Sequence, residues 1–124
     1  MLPSAKITGF VPSKELARAR QFYEKTLGLR LLSEDDFALV FEAGGGLVRV
    51  TKVENFKPQE FTILGWVVPS IEDAARELEE KGVTFQRYGF KNQDARGIWT
   101  SPSGAKIAWF KDPDGNVLSI SQLK

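Results

Sequence analysis

The chain has 124 residues and a mass of 13.9 kDa, the size of one domain or of two small modules fused. Its residues are 42% hydrophobic and 27% charged, and 17 basic against 16 acidic side chains leave a net +1, so composition steers it toward neither nucleic acid nor an anionic membrane. With 0 cysteine and 0 histidine it has no disulfide, no thiolate nucleophile, no zinc–thiolate site and no Ser-His-Asp chemistry, and a metal would find oxygen donors alone.

Residues 6–11 form a short apolar run that predicts a strand, ended by Pro12-Ser13. Ser13 is a suitable N-cap, and Leu16, Ala19, Tyr23 and Leu27 recur at helical spacing, with Phe22 widening the stripe. Gly28 stands where a helix end favours a left-handed residue, so 14–27 is predicted helical. Strands follow at 29–32, 37–42 and 47–53. Ala43-Gly44-Gly45-Gly46 lacks the Lys-Ser/Thr of a phosphate loop and leads into a strand, so it reads as a hairpin turn. Residues 54–60 carry Pro58 and no periodicity, and read as a connector.

The opening pattern then returns. Residues 61–68 predict a strand ended by Pro69-Ser70, and Ser70 with Asp73 has capping-box spacing. Ile71, Ala74, Ala75 and Leu78 form a helical stripe that Gly82 closes. Residues 83–87 predict a strand, 88–96 a polar loop, and 97–101 with 105–111 a hairpin around Pro102-Ser103-Gly104. Asp112-Pro113-Asp114-Gly115-Asn116 is a turn rather than a calcium loop: counted from Asp112, an EF-hand needs Gly and Glu where Val117 and Leu123 stand. Residues 117–121 are the last strand. No apolar run reaches the roughly 18 residues of a membrane span. The first residues lack the basic-then-apolar pattern of a secretion signal, so a cytoplasmic location is expected.

The order β-α-β-β-β thus occurs twice. Val11-Pro12-Ser13, Glu15 and Ala17 answer Val68-Pro69-Ser70, Glu72 and Ala74, which is five matches in seven positions. A duplication within one domain, 1–124, follows: module one at about 5–53, connector 54–60, module two at about 61–122. Neither half can cover both faces of a sheet alone. The predicted class is α+β, with two tandem βαβββ modules forming a curved, partly open eight-stranded sheet, helices outside and a concave cup inside. Small molecules favour such concavities.

The stretch 6–29, with Phe22-Tyr23 and Leu27-Gly28-Leu29, resembles the opening module of the vicinal oxygen chelate superfamily, which includes glyoxalase I, extradiol dioxygenases and the fosfomycin and bleomycin resistance proteins. Residues 65–82 resemble its second strand and helix, and Ile107-Ala108-Trp109-Phe110-Lys111-Asp112-Pro113-Asp114-Gly115-Asn116 its final hairpin. The resemblance implies one divalent metal held by His, Gln or Glu. The positions it assigns to those ligands carry Thr8, Arg49, Ile63 and Ser119. Two hydroxyls, a hydrocarbon and a guanidinium are a poor set, and the cation would repel a metal by several kcal/mol at roughly 4–5 Å. No metal and no other cofactor is therefore expected.

The superfamily also has metal-free members that sequester a ligand, and bleomycin resistance proteins are an example. The resemblance implies that kind of protein here, with a lyase- or dioxygenase-like enzyme using no metal, or a weak oxygen-only site, as the alternative. Strand alternation places Phe10 with Thr8, and Val117 and Ser121 with Ser119. The expected ligand-binding set is Thr8, Phe10, Arg49, Ile63, Trp99, Trp109 and Ser119, for a small acidic or aromatic molecule. No catalytic residue is assigned, and Tyr23 is set aside because it lies on the helix's apolar stripe. A homodimer is expected from the family and from open sheet edges.

If Arg49 binds an acidic ligand through a charged hydrogen bond, Arg49→Ala weakens that binding by about 1.5–3 kcal/mol in a titration. Unchanged affinity with a lower melting temperature would assign Arg49 to an ion pair with Glu42 or Glu60 instead.

Overall fold

The computed structural model describes residues 1–89 and 92–124. Its contacts divide the chain into two compact units, Met1–Pro58 and Gln59–Lys124. The first contains β1 (Thr8–Ser13), α1 (Leu16–Arg20), β2 (Arg30–Glu34), β3 (Ala38–Ala43) and β4 (Gly46–Lys52). The second contains β5 (Thr62–Val67), α2 (Ile71–Glu80), β6 (Trp99–Thr100), β7 (Lys106–Lys111) and β8 (Val117–Gln122). Each unit is a βαβββ module with its own four-stranded sheet, ordered β1-β4-β3-β2 and β5-β8-β7-β6. The first and last strands of each module pair in parallel, and the other pairs are antiparallel. A parallel pair needs a long crossover, which explains why each module carries a helix after its first strand.

In module one the side chains of Val11, Val48, Val50, Leu39 and Phe41 are buried, as are Ala19 and Tyr23 of the helical segment. Tyr23 lies 5.9 Å from Phe41 and edge-on to Phe22 at 5.2 Å. The stripe expected over 14–27 is present, but its geometry changes midway. After α1 the chain widens into a π-helical turn, Gln21–Thr26, where the Leu27 N–H reaches back five residues to the Phe22 carbonyl at 2.9 Å. The Leu29 N–H then bonds to the Tyr23 carbonyl at 3.0 Å, closing the helix around Gly28.

Three local expectations are corrected. Pro12 and Ser13 do not end the first strand: they pair with Thr51 and Lys52. β1 is an edge strand of its sheet, where proline's missing N–H breaks no ladder. Ser13 consequently does not cap α1, whose N-cap is Glu15; its hydroxyl instead accepts the Glu15 N–H at 3.2 Å. Residues 83–87 form no strand, because the Gln86 N–H to Trp109 carbonyl bond at 2.8 Å does not extend into a ladder. Phe85 of this stretch still enters the core, edge-on to Phe110 at 5.9 Å. Of the loop expected over 88–96, positions 90 and 91 lie outside the described residues.

The turn chemistry follows expectation. Ala43 pairs with Gly46 across a two-residue loop in which Gly44 and Gly45 have φ of 54° and 82°. Positive φ at both centres is the hairpin turn that matches strand twist. Ser70 caps α2 by accepting the Asp73 N–H at 3.2 Å.

The β7–β8 turn is held by one buried carboxylate. Asp112 Oδ1 accepts the N–H groups of Asp114 and Asn116, each at 2.9 Å, and Oδ2 accepts the Asn116 side-chain amide at 2.9 Å. Asp112 and Asn116 are only 5% and 2% exposed. Asp112→Ala strands two N–H groups, so a loss of about 2–4 kcal/mol in denaturant unfolding is expected. Asp112→Asn keeps the Oδ1 acceptor and costs less.

Candidate functional site

Alternation and register decide which side chains share a face. In module two, Trp109 stands opposite Ser119, Ile107 opposite Ser121 and Lys111 opposite Val117. Trp99 is opposite Ile107. These side chains occupy one face of the sheet, and the buried Ala108, Phe110, Leu118 and Ile120 occupy the other. Trp66, opposite Ile120, belongs to the buried side. Three expected residues, Trp99, Trp109 and Ser119, are thus brought onto one face.

Two ring contacts organise it. The centroids of Trp99 and Trp109 lie 6.2 Å apart with planes tilted by 34°, and Tyr88 stands edge-on to Trp109 at 5.5 Å and 83°. Tyr88 is held by Gln93, whose Oε1 accepts the Tyr88 N–H at 2.9 Å. The Gln93 amide also donates to the carbonyls of Gln86 and Gly97, each at 3.0 Å. One side chain therefore ties Gln86 and Tyr88 to Gly97 beside the sheet. Gly65 lies across from Ser119, and any Cβ at 65 would overlap the Ser119 hydroxyl.

A pocket of about 260 Å³ opens at this place, lined by Glu60, Phe61, Thr62, Tyr88, Trp109 and Val117. Of the expected set only Trp109 lines it. Ile63 does not, because the ladder between β5 and β8 shifts register between Thr62 and Leu64. Thr62 takes the position opposite Val117, and Ile63 is the extra residue that strict alternation would place there. Tyr88 was hidden in a stretch that reads as polar loop; its one sequence signal is an aromatic residue directly after the extended 83–87 segment.

Thr8, Phe10 and Arg49 lie in module one. Phe10 pairs with Arg49, which pairs in turn with Val40, and Thr8 is two residues before Phe10 on the same side. Phe10 is 65% exposed. The suggested ion pair of Arg49 with Glu42 is not formed; Glu42 pairs with Arg30 at 3.5 Å. Arg49 contributes a smaller push to Asp35, whose carboxyl is held below its ordinary range mainly by the N–H groups of Phe37 and Ala38.

The donor set does not fit a divalent metal. Among the described residues no group of three or more acidic, His or Cys side chains could hold one. No helix among them is long and apolar enough to cross a membrane.

The tandem βαβββ architecture defines a class of small α+β proteins, and sequence comparison agrees with it. The chain belongs to the glyoxalase/bleomycin resistance protein/dioxygenase superfamily, whose family model matches residues 7–120. Among solved structures it is similar to an integron cassette protein from the mobile metagenome of a Halifax Harbour sewage outfall, at 25% identity and TM-score 0.73 over 97% of this chain and 99% of that one. A putative glyoxalase family protein from Bacillus anthracis shares 18% identity at TM-score 0.77, over 98% and 96%. A bleomycin resistance determinant encoded on the transposon Tn5 shares 19% at TM-score 0.76, over 98% and 99%. Comparison with curated proteins finds no match.

The Tyr88 hydroxyl is pushed above its ordinary value of 10.0, first by burial and then by the negative charge of Glu60. A raised folded value means that its stabilising effect is complete below pH 10 and fades as pH climbs past the folded value. The chain has 2 tyrosines, and Tyr23 is fully buried. Alkaline absorbance titration should therefore show one accessible phenolate, later than a free tyrosine, which Tyr88→Phe removes.

Proposed function

We propose that the chain is a metal-independent binding protein for a small, largely planar molecule. The observation carrying this reading is the succession Tyr88–Trp109–Trp99 along one sheet face, opening on the pocket beside Glu60 and Thr62. Aromatic walls give a planar ligand apolar contact with defined geometry. A few polar groups at the rim fix its orientation. Thr62 and Tyr88 bring hydroxyl-bearing side chains to this rim, and a phenol, neutral near pH 7, can donate a hydrogen bond.

Nothing in this arrangement polarises a substrate in the way the metal-dependent relatives require. The residues at the positions that the resemblance assigns to metal ligands are Thr8, Arg49, Ile63 and Ser119. Membership of the superfamily supplies the fold, and the aromatic pocket supplies the ligand class.

The neutral planar quencher 4-nitrobenzyl alcohol should quench tryptophan fluorescence saturably. Trp109→Leu should weaken that binding about ten-fold, in line with losing one aromatic contact and its buried area. Prior treatment with a chelator should leave the curve unchanged. Binding that disappears with the chelator and returns with a divalent ion would overturn the reading.

A further inference from the structure

We propose that the module-two pocket selects an organic cation, an alkylated ammonium seated against the aromatic rings with Glu60 as its counter-charge; this rests on the binding reading above. Among the described residues that line it, Phe61, Tyr88 and Trp109 are aromatic. Tyr88 and Trp109 stand at 83° to each other, so they form two walls of a corner rather than a stack. The negative face of an aromatic ring attracts a cation within about 6 Å of its centroid, and several rings around one space suit a bulky, weakly hydrated ammonium.

The charge inventory points the same way. Among the described residues lining the pocket, Glu60 is the only charged one, and it makes no ion pair or hydrogen bond with any described residue. Its field reaches the pocket, since it contributes to the upward shift of the Tyr88 hydroxyl. A tyrosine hydroxyl is neutral near pH 7, so the described lining presents one anionic group and aromatic surface. Lys111 stands opposite Val117 in the ladder but is exposed and lines no part of the pocket. An anionic ligand would meet Glu60 with no cation among the described lining residues to compensate; a neutral one would leave its charge unused.

Three probes that share a 4-nitrobenzyl group and differ in charge separate the possibilities: 4-nitrobenzyltrimethylammonium, 4-nitrobenzyl alcohol and 4-nitrophenylacetate, each titrated against tryptophan fluorescence at low and moderate salt. The cation should bind about ten-fold more tightly than the alcohol, and the carboxylate more weakly than either. Glu60→Gln, an exposed substitution, should cost the cation about five-fold and remove most of its salt dependence while leaving the alcohol within about two-fold. Equal affinities for all three probes, abolished by Trp109→Leu, would overturn the cation selectivity and leave the binding pocket standing. An unchanged cation affinity in Glu60→Gln would overturn it too. If no probe bound saturably, this inference and the binding reading would fall together.

Discussion

The register of the last hairpin is the constraint on which the candidate site depends. Phe110 and Leu118 are fully buried and face each other across β7 and β8. Each contributes about 1.5–3 kcal/mol by leaving water. A slip of one residue would turn both toward solvent and drive Trp109 and Ser119 into the core. The slip is also opposed at the turn, where the Asp112 carboxylate accepts N–H groups from two later residues and the Asn116 amide. The run that resembles a calcium loop is thus the clamp that aims Trp109. Its carboxylate is occupied by its own turn.

Two departures from regular geometry shape the surface built on that register. The shift between Thr62 and Leu64 inserts one residue into β5 and brings Thr62, rather than Ile63, opposite Val117. Gly65 then passes Ser119 so closely that the serine hydroxyl occupies the space a side chain at 65 would need. The second departure lies in the stretches 86–89 and 92–97. Gln93 satisfies three backbone groups from both stretches and so holds Tyr88 beside Trp109. Backbone polar groups outside a ladder need partners, and here a single amide serves three of them.

Charge is distributed differently on the two modules. Module one places Arg49 next to the exposed ring of Phe10, with Asp35 near enough to feel it. Module two places Glu60 among Phe61, Tyr88 and Trp109. The duplication therefore conserved the backbone plan, down to parallel first and last strands, while the side chains on the two open faces diverged in sign. Aromatic surface beside a charged side chain recurs on both, with opposite sign of charge.

The sequence by itself determined the duplicated βαβββ order, the turns at Gly44-Gly45 and 112–116 and the Ser70 cap. These rest on local signals: hydrophobic period, turn residues and residue chemistry. Alternation also placed Trp109 and Ser119 on one face, because β7 and β8 are regular and their buried partners are unmistakable. Only the tertiary structure decided that Pro12-Ser13 continues β1, since edge position is a property of the sheet and not of the dipeptide. It alone placed the extra residue at Ile63, because a register shift is set by the partner strand. It alone brought Tyr88 and Glu60 to Trp109, residues 21 and 49 positions earlier in the chain, because no local pattern records which loop a glutamine will fasten to which strand.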